Sequence, residues 1–297
     1  MARARALVRR TVKVASAGVD RLRPNVAGVV ILIYHRVGGG SSLEIDLDPG
    51  LFDQQMAAVA ASNRVLSLGA ALARLDAPAD RRPDVDWPDG DWPDGDLGDD
   101  AGSVVITFDD GTADFVDVAL PILERHGVCA TLYAATSFIE EGVDFPDHGR
   151  PLSWAALRDA CATGLVDVGS HTHHHRLLDR VSPAEAADEL DRSGGLIAER
   201  LGRPALDFAY PKAVAGTPEV AQLVRDRFRS AALAGTRVNP YRSKQPPRAT
   251  DPQSLARSPI QVSDGMRFFE RKLAGGMALE DSLRRVVNRA RYARAST

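Results

Sequence analysis

Val104-Val105-Ile106-Thr107-Phe108-Asp109-Asp110-Gly111 is an apolar, largely β-branched run that ends in two adjacent carboxylates and a glycine. Such a run reads as a buried strand, and carboxylates at its end place charge at the rim of a core. Further on, residues 165–168 read as another strand, leading into Ser170-His171-Thr172-His173-His174-His175, which holds four of the chain's seven histidines. Imidazole with carboxylate is the usual ligand set of a zinc-like divalent cation. Each stretch has an ordinary reading when taken alone. Asp-Asp-Gly is a common turn, because Asp bonds its own backbone and Gly supplies positive φ, and clustered histidines can be a solvated loop. Two such features, each closing a predicted strand, point together to a mononuclear metal site of the hydrolase kind.

The rest of the chain alternates in the same way. Gly28-Val29-Val30-Ile31-Leu32-Ile33-Tyr34 has the continuous apolar pattern of a strand buried on both faces, and it ends at His35. Asp48-Pro49 starts a helix with Phe52, Met56 and Val59 on one face. Residues 64–68 read as a short strand before a helix over 69–75. After the strand that carries the two carboxylates, a helix with Phe115, Val118, Ile122 and Leu123 stops at Gly127, with a kink expected at Pro121. A strand over 128–134, a helix capped by Ser153, a capping box at Ser182-Pro183-Ala184-Glu185, and strands over 206–210 and 229–233 complete the series. Strands alternating with helices imply parallel pairing through right-handed crossovers, in a number that suits a barrel. His35, Asp109 with Asp110, His171, and Pro211 with Lys212 then all follow strand C-termini, the face where barrel enzymes carry their sites.

Composition limits the rest. The chain has 297 residues, 44% of them hydrophobic and 26% charged, enough to bury one barrel-sized core. The net charge of −3 hides a stretch from Asp76 to Gly102 with ten aspartates against Arg81 and Arg82, so the remainder is net positive. That stretch contains the tandem copies Asp86-Trp87-Pro88-Asp89-Gly90 and Asp91-Trp92-Pro93-Asp94-Gly95, and it has too little apolar material to fold alone. Cys129 and Cys161 are far apart, outside any Cys-x-x-Cys, and read as reduced thiols. The basic N-terminus has no signal-like apolar run, and no stretch is long enough to span a membrane, so a cytoplasmic location is expected. The termini could touch anionic lipid, although for the tail from Phe268 a solvated basic helix is the plainer reading. The organisation expected is a basic extension over 1–27, a barrel domain over 28–265 with an acidic insertion at 76–102, and a basic helical tail over 266–297.

These residues resemble the polysaccharide deacetylase family, also called carbohydrate esterase family 4 or the NodB-homology domain, from about Val29 to about Ala234. Thr107-Phe108-Asp109-Asp110-Gly111 is similar to the family's first motif and His171-Thr172-His173-His174-His175 to its second. Phe208-Ala209-Tyr210-Pro211 resembles the third motif as found in a branch of biofilm and exopolysaccharide N-deacetylases. The resemblance implies an α/β fold, a distorted (β/α) barrel of about seven parallel strands. It implies that Asp110, His171 and His175 bind one divalent metal, with Zn2+ foremost and Co2+, Ni2+ or Mn2+ as alternatives, and that Asp109 is the general base. Tyr210, Pro211, Lys212 and His35 fall to substrate or oxyanion contact, with the Lys212 main-chain N–H as the oxyanion donor. Two departures stand out. The usual Pro-Tyr-Gly is Pro211-Lys212-Ala213 here, and the arginine that many members pair with the catalytic carboxylate is missing from the Phe-Ala-Tyr-Pro version. No histidine follows His175, so His173, His174 or His35 would have to protonate the leaving group.

The activity expected is metal-dependent removal of N-acetyl groups from an amino sugar in a polysaccharide or glycoconjugate. An amidase or esterase acting on another small acylated substrate, or a catalytically silent carbohydrate-binding relative, remains the alternative. The expected partner is an N-acetylated sugar polymer or glycoconjugate, with no nucleic acid.

Overall fold

The computed structural model describes residues 11–16, 18, 26–62, 64–77, 102–244 and 247–282. The acidic insertion from residue 78 to 101 and the basic ends over 1–10 and 283–297 lie outside the described residues. Among those described, no helix is long and apolar enough to cross a membrane.

Seven parallel strands close into a barrel. They are β1 (Gly28–Tyr34), β2 (Ser103–Phe108), β3 (Ala130–Ala134), β4 (Val166–Ser170), β5 (Asp207–Ala209), β6 (Ser230–Ala234) and β7 (Leu255–Pro259). Each pairs with its neighbour in chain order, and β7 returns to β1 in the register Ile31↔Arg257 and Ile33↔Pro259, which removes both sheet edges. A two-residue strand, Asn239–Pro240, adds antiparallel to the start of β1. Helices α1 (Pro49–Ala61), α2 (Leu68–Asp76), α3 (Leu120–His126), α4 (Thr136–Glu141), α5 (Trp154–Ala162), α6 (Pro183–Leu201), α7 (Pro218–Arg225) and α8 (Gly265–Leu273) accompany the strands. Their starts follow local chemistry: Asp48 accepts from the N–H groups of Gly50 and Leu51, and Ser182 and Glu185 form a reciprocal capping box for α6. A π-helical turn over Phe115–Ala119 leads into α3 just before Pro121, where the sequence predicts a kink.

Alternation along the strands divides the core. Val30, Leu32, Tyr34, Val104, Ile106 and Phe108 face the helices and pack with Phe52, Met56, Phe115 and Leu123. Val29, Ile31, Val105, Tyr133, Ala209, Ala232 and Leu255 fill the lumen, closed at the strands' starting end by Leu66, Leu68, Ala71 and Leu75. An aromatic cluster stiffens the other end: Phe108 lies 5.4 Å from Tyr34 and 4.9 Å from Phe115 between ring centroids, directly before Asp109.

Three elements differ from the sequence reading. Residues 64–68 form no strand; only Val65 bridges to Val104, and Ser67 caps α2 one residue earlier. The seventh strand is β7, which carries an arginine, a serine and a proline in five residues and so lacks an apolar signature. The tail is packed rather than solvated, with buried residues as far along as Met277 and Asp281. Phe268, Phe269 and Lys272 of α8 are buried, and Lys272 Nζ lies 2.8 Å from Asp264, which also pairs with Lys13.

Gly169 in β4 is a packing requirement. A Cβ there would meet the Tyr133 ring at 2.6 Å and the Asp207 carbonyl oxygen at 2.7 Å. Gly169→Ala should therefore cost roughly 1–3 kcal/mol, the usual penalty of overpacking, read as a lower midpoint in urea. An unchanged midpoint would mean that the lumen side chains are free to move aside.

Candidate active site

The two aspartates leave β2 in different ways. The Asp109 N–H donates to the Tyr34 carbonyl at 3.0 Å, continuing the sheet by one residue, and its carboxylate points into the lumen. Asp110 then adopts φ 75° and Gly111 φ 103°, so alternation stops and the second carboxylate swings to the same rim. The turn is held where the Ala135 N–H donates to the Asp110 carbonyl at 2.9 Å and the Leu152 N–H to that of Gly111 at 3.0 Å. On the β4 side, the His171 N–H donates to the Ala134 carbonyl, and positive φ at Thr172 and His175 coils the loop so that both imidazoles return to Asp110. Left-handed conformations at residues other than glycine cost about 1–2 kcal/mol each, and concentration at one rim is characteristic of functional sites.

Asp110 Oδ1 ends 3.4 Å from His175 Nε2 and 3.7 Å from His171 Nε2. Zinc bonds of about 2.0–2.2 Å at tetrahedral angles set ligand atoms roughly 3.3–3.6 Å apart, so this triangle fits a divalent cation and leaves coordination positions free. His171 Nδ1 lies 2.7 Å from the Ala209 carbonyl, which fixes its proton on Nδ1 and leaves Nε2 as a lone-pair donor. Burial lowers both imidazoles below their ordinary value, His175 to about 3, the direction that favours the neutral form a metal would need. Burial raises the Asp110 carboxyl, but His35, His175 and His171 outweigh it, and the group stays below the usual range.

Arg257 corrects the sequence reading, which found no arginine to pair with Asp109. It comes from β7, 148 residues away along the chain, and donates Nη1 to Asp109 Oδ1 at 2.6 Å and Nη2 to Oδ2 at 2.9 Å. Its guanidinium is 1% exposed, lies over the Tyr133 ring at 4.9 Å and also reaches Thr107 Oγ1 at 3.2 Å. Burial pushes Asp109 up, but the Arg257 charge, His171 and the paired hydrogen bonds hold it well below the carboxylate range. Arg257 sits in a strand with no motif; its only sequence signal is a charge amid the small and apolar residues around it.

The remaining candidates separate. Tyr210 and Pro211 are buried, while Lys212 is exposed at φ 54° followed by Ala213 at φ 56°, a strained turn. The Lys212 charge is close enough to lower Asp110. His35 lowers both carboxylates, and its Nδ1 is buried without a hydrogen-bond partner. His173 and His174 point elsewhere, to Thr136 and Glu189. His126 pairs with Asp53 at 2.9 Å in the last turn of α3, a structural contact. Cys129 and Cys161 are free thiols.

Residues 97–226 match the family model for polysaccharide deacetylase. YxkH of Bacillus subtilis (strain 168), whose name places it among polysaccharide deacetylases, is 24% identical over 196 residues; the match covers 66% of this chain and 60% of that relative's length. The Streptococcus pyogenes deacetylase PplD, solved in complex with acetate, superposes with a TM-score of 0.65 at 20% identity, covering 83% of this chain and 98% of that one. IcaB from Ammonifex degensii gives 0.63 at 22% identity, covering 83% and 97%. These two share the distorted (β/α) barrel described above.

The buried pair makes a signed prediction. In the native protein the lowered Asp109 pKa contributes stability that is present above the unfolded value and is lost as pH falls through the folded one. Arg257→Met leaves a buried carboxylate unpaired, which should cost about 3–5 kcal/mol at pH 7. Burial then raises the Asp109 pKa, so the folded variant takes up a proton more readily and the deficit should narrow toward pH 5. Urea unfolding of the metal-free proteins at both pH values reads this, and an equal deficit at both would contradict it.

Proposed function

We propose that the protein is a metal-dependent hydrolase that removes N-acetyl groups from an amino sugar in a polysaccharide or glycoconjugate. The observation that carries this reading is the Asp110, His171 and His175 triangle set beside an Asp109 held by Arg257. Asp110, His171 and His175 would hold one divalent cation, Zn2+ foremost or Co2+, Ni2+ or Mn2+, which would supply Lewis acidity to a water and to the acyl oxygen. Asp109 is ionised at neutral pH and accepts the proton of the attacking water. Its two oxygens are both engaged by Arg257, but each keeps a second lone pair, and Oδ2 faces the triangle, 4.0 Å from His171 Nε2. Arg257 fixes the plane of that carboxylate, so little orientation is lost on reaching the transition state. The Lys212 main-chain N–H is assigned to the developing oxyanion, beside Tyr210 and Pro211. His35 is assigned to protonate the departing amine, because of the three histidine candidates it alone faces the two carboxylates. The proposed catalytic unit is the barrel over 28–265.

The two carboxylates should fail differently. Asp110→Asn should bind zinc more weakly and lose acetate release from N-acetylglucosamine oligomers, with partial recovery in excess metal. Asp109→Asn should keep its metal and lose roughly 10²–10⁴-fold in turnover without recovery. Metal analysis after dialysis, beside acetate-release kinetics, reads both. Reversed behaviour would overturn the assignment of roles, and full activity in both variants would overturn the hydrolase reading.

A further inference from the structure

The histidine loop has a second face. His171 and His175 turn to Asp110, whereas His173 and His174, between them, turn to the helices outside the barrel. His173 is 2% exposed; its Nδ1 lies 2.9 Å from Thr136 Oγ1, while its Nε2 is buried without any hydrogen-bond partner. His174 Nδ1 lies 2.6 Å from Oε1 of Glu189, a carboxylate of α6 that is 3% exposed and also accepts the His174 main-chain N–H at 2.7 Å. The two rings meet edge to face at 4.3 Å. Glu141, the last residue of α4, brings an exposed carboxylate with no hydrogen bond or ion pair among the described residues. One donor atom from each of Glu141, His173 and His174 lies within 4.8 Å of the others.

We propose that Glu141, His173 and His174 form a second cation site, on the outer face of the histidine loop, for a borderline divalent ion such as Zn2+. Two imidazoles with one carboxylate suit zinc rather than calcium or magnesium, which take oxygen cages. A buried imidazole nitrogen left unpaired is destabilising, and a bound cation would offset that cost. Glu189 behind His174 reproduces the carboxylate–histidine arrangement that orients metal ligands, placing the proton on Nδ1 and leaving Nε2 to bind. Tetrahedral bonding needs donors roughly 3.3–3.6 Å apart, a closure within reach of the exposed Glu141 side chain. Occupancy would tie α4, the histidine loop and α6 together, clamping from outside the loop that carries His171 and His175.

The test uses full-length protein freed of metal and titrated with zinc by equilibrium dialysis, with thermal unfolding in parallel. The wild type should bind two equivalents and Asp110→Asn should keep one tight equivalent. Adding Glu141→Gln to Asp110→Asn should weaken that equivalent roughly tenfold or more and abolish the zinc-induced rise in Tm. Glu141 is exposed, so the variant should fold, and His174→Gln in the same background should reproduce the loss. Identical zinc binding by Asp110→Asn with and without Glu141→Gln would overturn the second site, as would a single equivalent in the wild type that survives in Glu141→Gln. A wild-type equivalent lost in Glu141→Gln but kept in Asp110→Asn would instead support the second site and count against the proposed catalytic one.

Discussion

A guanidinium buried in the barrel lumen, clasping one carboxylate with two hydrogen bonds, sets the terms for everything around it. Arg257 and Asp109 are both nearly inaccessible to water, and neither charge would be tolerable there without the other. The pair requires a seventh strand at the correct register beside β1, a tyrosine face for the guanidinium to lie on, and a glycine at 169 so that the tyrosine ring can cross the lumen. The lumen is therefore layered, with mainly apolar side chains toward the strands' starting end, where Asp207 pairs with Arg229, the Arg257–Asp109 pair above them, and Asp110, His171 and His175 at the rim.

That layering accounts for the different behaviour of two adjacent aspartates. Asp109 continues the strand and keeps its inward direction, where Arg257 neutralises it. Asp110 departs at positive φ and meets two imidazoles whose pKa burial lowers, with no arginine or lysine hydrogen-bonded to it among the described residues. A rigid, paired carboxylate and an adjacent, unpaired one are suited to unlike work: the first can accept a proton without moving, and the second attracts a cation. Backbone strain at Asp110, Thr172 and His175 is a cost of bringing their groups to one point, borne by a barrel whose strands are fully paired.

Much of this was legible in the sequence because it is local. A strand announces itself by its apolar run, and Asp109, Asp110, His171 and His175 stand immediately after such runs, so both the barrel and the donor set follow from short windows. Arg257 did not, because its partner is far away in the chain and its strand, Leu255-Ala256-Arg257-Ser258-Pro259, has the composition of a loop. What makes it a strand is closure: six parallel strands leave two open edges, and only a segment able to pair with both β1 and β6 removes them. The buried lysines around Asp264 were hidden for a related reason, since a run rich in Arg and Lys looks solvated until the carboxylate it packs on is known. The separate directions of the histidines within the loop likewise depend on positive φ at Thr172, which composition does not announce.

The most direct measurement of the central claim is anomalous diffraction at the zinc edge from crystals of the zinc-loaded protein. The account predicts a peak about 2.0–2.2 Å from Asp110 Oδ1, His171 Nε2 and His175 Nε2, with Asp109 still clasped by Arg257 and outside the ligand set. No density between those three atoms, or a cation bound through Asp109 with Arg257 displaced, would contradict it.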